Sequence, residues 1–334
     1  MTAALTGTAV PRAAGTPRLT RWVLRLHRPA LYAWTGLVLA LAALLLGLRG
    51  PLADAAAEGW RQYHACTGPA RCSYDQVAIL RYKDYANYAT LALNALPMLV
   101  AGWAGAALVG RELESGTARL AWTQGTSPAR WLAVRLAVPA VAVVAGSAAL
   151  FWLHRLAWRA GEGRIDSAKD WYDRFTFYAN GPTTVALALA GLALGALTGL
   201  VLRRTLPALL VGMVVITCLR AALELALPHL WPAVTHASTT DQGLGGDGLG
   251  VAQGVVTRSG ARVPVPPCGS EAQCQAAYAD VAGRWTTYHP SSHYWPLQFT
   301  ACALILAVTG LLAFGCFLAL RRVTGAVRAV EAAV

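Results

Sequence analysis

Six predominantly apolar stretches constrain the fold of this 334-residue chain more than any other feature. An α-helix rises about 1.5 Å per residue, so about 20 residues cross the roughly 30 Å hydrocarbon core of a bilayer. Because backbone polar groups find no water there, such stretches must be helical. The predicted spans are residues 30–48, 88–110, 131–158, 182–202, 206–227 and 298–320. We therefore predict an all-α membrane protein whose transmembrane domain of six helices occupies residues 30–334.

Composition and charge distribution support a membrane location. The chain is 56% hydrophobic and 13% charged, whereas about a quarter of the residues in a soluble domain are charged. The predicted cytoplasmic segments carry 13 Lys and Arg residues and three acidic residues, but the outer segments carry 12 basic and 12 acidic ones. This positive-inside bias predicts cytoplasmic termini and favours anionic lipid heads over nucleic acid as the reason for the net charge of +12. The scarcity of lysine, with Lys83 and Lys169 alone, suggests a bacterial cell membrane.

The N-terminal region divides into a tail and a basic helix. Residues 1–16 lack apolar periodicity and are predicted to be disordered. Residues 17–29 form an amphipathic pattern that predicts an interfacial helix. Its basic face would contact lipid phosphates and consists of Arg18, Arg21, Arg25 and Arg28. A nucleic-acid-binding arm is the alternative interpretation.

Two cysteine pairs in the outer segments indicate disulfides. The outer segments are residues 49–87, 159–181 and 228–297, and we expect the first and third to form an extracellular cap. The paired cysteines, each with C-x5-C spacing, are Cys66 with Cys72 and Cys268 with Cys274. In an oxidising compartment each local disulfide would contribute about 2 kcal/mol. Four cysteines allow three pairings, of which the repeated spacing favours the local one; free or metal-bound thiols are the alternative.

The ionisable residues within predicted spans include Arg135, Arg220 and Glu224. Arg135 lies one turn from the cytoplasmic end of the third span, where its side chain is expected to snorkel to the interface. Arg220 and Glu224 have the i, i+4 spacing that lets them pair on one face of the fifth span. Each costs about 2.5 to 3.5 kcal/mol on insertion scales. The pair is interpreted either as a polar spot on a transport path or as a self-neutralised structural pair.

No catalytic, cofactor or metal site is predicted. The sequence contains no G-x-x-x-x-G-K-[ST] loop, so the chain lacks the usual phosphate cradle for ATP. Residues 243–248 match G-x-G-x-x-G by letter but follow no predicted strand, and we interpret them as a linker. His289 and His293 have ligand-like spacing without a third ligand. Any energy for transport would have to come from a separate subunit.

A polar segment at residues 111–130, the coupling segment, separates the second and third spans. Its first half has helical periodicity through Leu113, Thr117 and Leu120, and residues 125–128 predict a turn. The order Glu112, three residues, Gly116-Thr117 resembles the loop of ABC-2-type transporter permeases, where Glu-x-x-x-Gly-Thr opens a cytoplasmic coupling helix. The basic helix before the first span is a second similarity. The resemblance assigns ATPase coupling to Arg111, Glu112, Glu114, Gly116, Thr117 and Arg119.

The resemblance implies a permease subunit. Two copies, as a homodimer, would bind two cytoplasmic ATPase subunits that hold the ATP, and would export an amphiphilic compound, peptide or lipid. In that scheme Glu112, Glu114 and Arg119 contact the ATPase, while Gly116 and Thr117 permit close approach. A secondary transporter is disfavoured because Glu224 is the only carboxylate within a predicted span. The alternative is a membrane-anchored sensor or accessory protein with an extracellular cap and no transport activity.

Overall fold

The computed structural model describes residues 16–66, 73–124, 126–238 and 248–331, with side chains described between residues 21 and 325. The predicted tail at 1–16 and linker at 243–248 lie outside these ranges except for their last residues. The described helices are α1 Thr16–Leu26, α2 Arg28–Arg49, α3 Pro51–His64, α4 Gln76–Trp103, a π-helix Ala104–Gly110, α5 Arg111–Glu114, α6 Thr117–Thr123, α7 Pro128–Gly161, α8 Arg174–Ala179, α9 Thr183–Leu202, α10 Thr205–Ala226, α11 Glu271–Tyr278 and α12 Tyr294–Glu331. The described strands are β1 Val234–Ser238, β2 Gly248–Thr257, β3 Arg262–Pro264 and β4 Val281–Pro290.

Six helical stretches of the described chain are long and apolar enough to cross a membrane, which agrees with the predicted number of spans. They are Arg28–His64, Gln76–Glu114, Pro128–Gly161, Thr183–Leu202, Thr205–His229 and Ser291–Gly325. Helix α1 precedes them as a separate element and packs against α7 through Val23, which is 1% exposed.

Helix α9 lies at the centre of the bundle, in contact with α4, α7, α10 and α12. Its glycines stand against the backbone of the second span: a Cβ on Gly191 or Gly195 would overlap the carbonyl oxygen of Pro97 or Ala101, respectively. Small residues allow such backbone approach between membrane helices. The small residues of α9 therefore permit its close packing against α4.

The all-α prediction needs a correction in the third outer segment. There β1 to β4 form a four-stranded antiparallel sheet in the order β1-β4-β2-β3. Residues 248–257 and 281–290 contain alternating and β-branched residues that favour strands. This strand pattern is weaker than the hydrophobic pattern of the spans, and the sheet forms only through pairing between strands that are distant in sequence. The part of the chain that the structure describes is thus mostly helical with one small sheet.

The first and second outer segments are also more ordered than loops. Helix α3 occupies much of residues 49–87 and packs against α2 and α4, with Ala53 and Ala56 fully buried. Arg164 after α7 donates a 2.9 Å hydrogen bond to Asp54, which joins the two segments. Helix α8 follows in the second segment and is buried at Thr176–Ala179.

Candidate functional site

The coupling segment folds as two short helices separated by a glycine. Gly116 lies between α5 and α6 with a φ of 75°, in the left-handed region that favours glycine. A Cβ on Gly116 would meet no atom within 4 Å, so the backbone conformation is what requires glycine here. Ser127 caps the start of α7 by accepting a 3.4 Å hydrogen bond from the Arg130 amide.

Glu112 is buried and points into the protein. Its carboxylate forms a 2.5 Å ion pair with the Arg135 guanidinium, whose side chain is 0% exposed. Arg135 also donates a 3.1 Å hydrogen bond to the Leu108 carbonyl, and its guanidinium lies 4.7 Å from the Trp131 ring centroid. Arg135 does not snorkel, because this partner compensates its charge inside the bundle. The pair joins α5 to α7.

Glu114 makes a second connection, to the fifth span. Its carboxylate accepts hydrogen bonds of 2.8 Å from the Thr205 amide and 2.6 Å from the Thr205 hydroxyl. Thr205 is the first residue of α10, so this carboxylate satisfies a free amide at a helix N-terminus. The coupling segment is thereby attached to both α7 and α10.

Of the remaining residues of the predicted coupling site, Gly116 is half-buried and the other three are exposed. Arg111 and Arg119 are exposed, and so is Leu120, at 60%. Thr117 is exposed and its hydroxyl donates to the Glu112 carbonyl at 3.4 Å. The structure thus divides the predicted site into two carboxylates that hold the segment in place and an outward surface.

Arg220 and Glu224 interact at longer range but make no direct ion pair with each other. Glu224 instead forms a 3.4 Å ion pair with Arg174 at the start of α8. Arg220 donates a 3.2 Å hydrogen bond to the Arg174 carbonyl, and its guanidinium lies 4.6 Å from the Tyr178 ring centroid. Helix α8 packs close enough to offer these partners, which helix periodicity in α10 cannot reveal.

A buried polar cluster was missed by the sequence analysis. The fully buried Asn180 lies 2.6 Å from His154 Nδ1, and its carbonyl accepts a 2.6 Å hydrogen bond from the Tyr294 hydroxyl. His154 Nε2 lies 2.9 Å from the Thr90 hydroxyl. The cluster joins α4, α7 and α12 around the end of α8. Thr90 and His154 fall within predicted spans, and polar residues there could have indicated the cluster.

The cysteine predictions have different outcomes. Cys268 and Cys274 form a disulfide with an S–S distance of 2.05 Å, as predicted. Cys66 is disulfide-bonded, but Cys72 lies outside the described residues, so their pairing stays a prediction. Cys218, Cys302 and Cys316 are free.

The structure describes most of the basic face of the predicted interfacial helix. Arg21, Arg25 and Arg28 are exposed, while the side chain of Arg18 is outside the described set.

His289 and His293 approach to 3.2 Å between their Nδ1 atoms. Within residues 16–66, 73–124, 126–238 and 248–331, no group of three His, Cys, Asp or Glu residues is arranged to hold a metal.

Comparisons with known proteins identify one family. The family model described as "ABC-2 membrane transporter related" matches residues 35–227, which is more than half of the 334-residue chain. The matched range runs from α2 to the end of α10 and includes the whole coupling segment. No curated protein matches the chain. No solved structure matches it either.

Proposed function

Since the chain belongs to the ABC-2 membrane transporter related family, we propose that it couples ATP hydrolysis by a separate ATPase subunit to the export of an amphiphilic compound, peptide or lipid. Family membership makes the chain a multi-pass membrane permease of an ABC transporter with an ATPase partner. The proposal adds the direction of transport, the substrate class and the route of coupling.

The attachment of the coupling segment to two different spans carries the proposal. Glu112 is paired with Arg135 in α7, and Glu114 accepts two hydrogen bonds from Thr205 in α10. A force on α5 and α6 is therefore transmitted to both spans. In this mechanism closure of the ATPase pair displaces α7 and α10 together and opens a path between two permease copies, which we propose form a homodimer.

The proposed roles of the coupling residues differ along the segment. Glu112 and Glu114 are positioning residues because their carboxylates bind within the chain. Gly116 provides the left-handed turn that orients α6. Arg119, with Leu120 beside it, is exposed and offers the ATPase a cationic and an apolar contact. Arg111 is equally exposed at the start of α5 and belongs to the same surface.

Co-purification with the ATPase tests this division. We expect Arg119→Glu and Leu120→Asp to abolish both recovery of the ATPase subunit and stimulation of its activity, since each places an acidic group on the contact surface. Arg258→Glu, the same charge reversal at an exposed turn of the sheet, is the matched control and should bind normally.

Two results would contradict the proposal. One is that both coupling variants recover the ATPase as the wild type does. The other is that the wild-type protein purifies without any nucleotide-hydrolysing subunit, which would favour a sensor or accessory protein with an outer cap.

A further inference from the structure

Two adjoining cavities lie between α1 and the spans, beside the coupling segment. The first, here the apolar cavity, has a volume of about 230 Å³ and is lined by residues of α2, α4 and α7, among them Leu37, Leu99 and Val138. The second, here the mixed cavity, has a volume of about 630 Å³ and is lined by α1, the π-helix and the coupling segment. His27 and Trp103 line both cavities.

The apolar cavity suits a hydrocarbon chain. Its lining contains few polar groups. One of them, the Trp34 indole N–H, already donates a 3.0 Å hydrogen bond to the Ala142 carbonyl. Burial, with a smaller contribution from Arg135, lowers the pKa of His27 to about 4, so the imidazole is neutral at physiological pH. Contacts in this cavity are therefore apolar, as for a lipid tail among membrane helices.

The mixed cavity suits an anionic group. Arg111 lines it and is exposed, and Ser115, Thr117 and Gln124 add hydroxyl and amide groups. The one acidic residue of its lining, Glu112, is compensated by Arg135. The uncompensated charge in the lining is thus positive.

Further basic residues lie near the mixed cavity, and its tryptophans are typical of the boundary between bilayer and water. Arg25 and Arg28 are exposed on the stretch that supplies the lining residues Leu26 and His27. Trp22 and Trp103 line the same cavity, and tryptophan is enriched where bilayer and water meet.

We propose that the two cavities together bind one anionic phospholipid, with part of an acyl chain in the apolar cavity and the phosphate beside Arg111. Basic pockets between membrane helices on the cytoplasmic side bind anionic headgroups in this way. Charge complementarity selects an anionic over a zwitterionic lipid. The binding site itself follows from the cavities, and only the assignment to the cytoplasmic leaflet rests on the proposed orientation.

The lipid would also brace the coupling segment. Leu120 and Ala121 of α6 face the mixed cavity from one side and Leu26 of α1 from the other, so an occupant connects the two helices. This consequence rests on the proposed function, since it concerns coupling. It makes the anionic lipid a structural cofactor of the coupling segment.

Native mass spectrometry of the delipidated protein, without the ATPase, tests binding. Phosphatidylglycerol and phosphatidylethanolamine with the same acyl chains are the probes. We expect one phosphatidylglycerol per chain and weaker binding of phosphatidylethanolamine. Ala30→Trp, in the lining of both cavities, should abolish binding, whereas Ala40→Trp, exposed on the same helix, should bind as the wild type does.

A charge variant separates headgroup recognition from cavity filling. Arg111→Gln should weaken phosphatidylglycerol binding about fivefold, as expected for one basic residue near an anionic headgroup, and leave phosphatidylethanolamine unchanged. This exposed substitution decides the matter if Ala30→Trp does not fold, which circular dichroism and size-exclusion chromatography show.

The inference is wrong if Arg111→Gln binds both lipids as the wild type does, or if folded Ala30→Trp retains phosphatidylglycerol. It is also wrong if the cavities hold a transported amphiphile that phosphatidylglycerol cannot displace. Because the assay contains no ATPase, these outcomes are independent of the proposed function: normal ATPase coupling without lipid retention would exclude the lipid site alone.

Discussion

At the scale of single residues, Glu112 and Glu224 each form an ion pair with an arginine of another helix. Glu112 pairs with Arg135 across 23 positions of sequence, and Glu224 pairs with Arg174 rather than with Arg220 on its own helix. Charged groups in a poorly hydrated environment need close partners, and the nearest partner is set by packing. Spacing along one helix therefore predicted that these charged groups have partners but not which residue makes the direct contact.

The Glu112–Arg135 pair gives the first prediction. Arg135→Met leaves Glu112 without its partner and should lower the free energy of unfolding by about 3 to 5 kcal/mol, the usual cost of breaking a buried pair. Adding Glu112→Gln should recover much of this loss, because no unpaired charge then remains. Thermal unfolding in detergent micelles, followed by tryptophan fluorescence, gives the double-mutant cycle; additive effects of the two substitutions would contradict a direct pair.

At the scale of elements, two glycine positions determine how helices meet. Gly116 turns the chain between α5 and α6, and Gly195 allows α9 to lie against the backbone of α4. The first position needs a backbone conformation, whereas the second needs space. Both positions are glycine in the sequence, and only the surrounding structure shows why each one requires it.

Gly116 gives the second prediction. Gly116→Ala should cost about 1 to 2 kcal/mol, because an L-residue with a side chain is disfavoured in the left-handed region. Gly116→Asn should cost less, since asparagine visits that region more readily. Unfolding and ATPase stimulation measured on both variants test this order; a Gly116→Asn variant at least as destabilised as Gly116→Ala would contradict the conformational requirement.

Gly195 gives the third prediction. Gly195→Ala places a methyl group against the Ala101 carbonyl and should destabilise the protein by about 1 to 3 kcal/mol through overpacking. The control is Gly310→Ala in α12, where a Cβ meets nothing within 4 Å, and alanine should be neutral or slightly stabilising. Thermal unfolding of both variants checks the difference, and a Gly195→Ala variant as stable as Gly310→Ala would contradict the close packing.

At the scale of the whole molecule, the coupling segment and the sheet are predicted to lie on opposite sides of the membrane. The segment lies between the second and third spans, and the sheet lies between the fifth and sixth, so an odd number of crossings separates them. The Cys268–Cys274 disulfide within the sheet region is typical of an oxidising compartment.

Topology gives the fourth prediction. A cysteine introduced at the exposed Ser259 should react with a membrane-impermeant maleimide in intact cells, whereas one at the exposed Ser115 should react only after permeabilisation. The wild-type protein, which retains its free cysteines, provides the background. Reaction of Ser115→Cys in intact cells would place the coupling segment outside and overturn the proposed function.

The sequence by itself determined the multi-pass membrane character, the number of spans and the place of the polar segment 111–130 between the second and third spans, because hydrophobicity and length act locally along the chain. It also determined the Cys268–Cys274 pair through its short spacing. Only the tertiary structure decided the partners of Glu112, Glu114 and Glu224, the sheet of the outer region and the cavities beside α1. These features depend on contacts between residues far apart in sequence, which form only when packing brings their elements within a few ångströms.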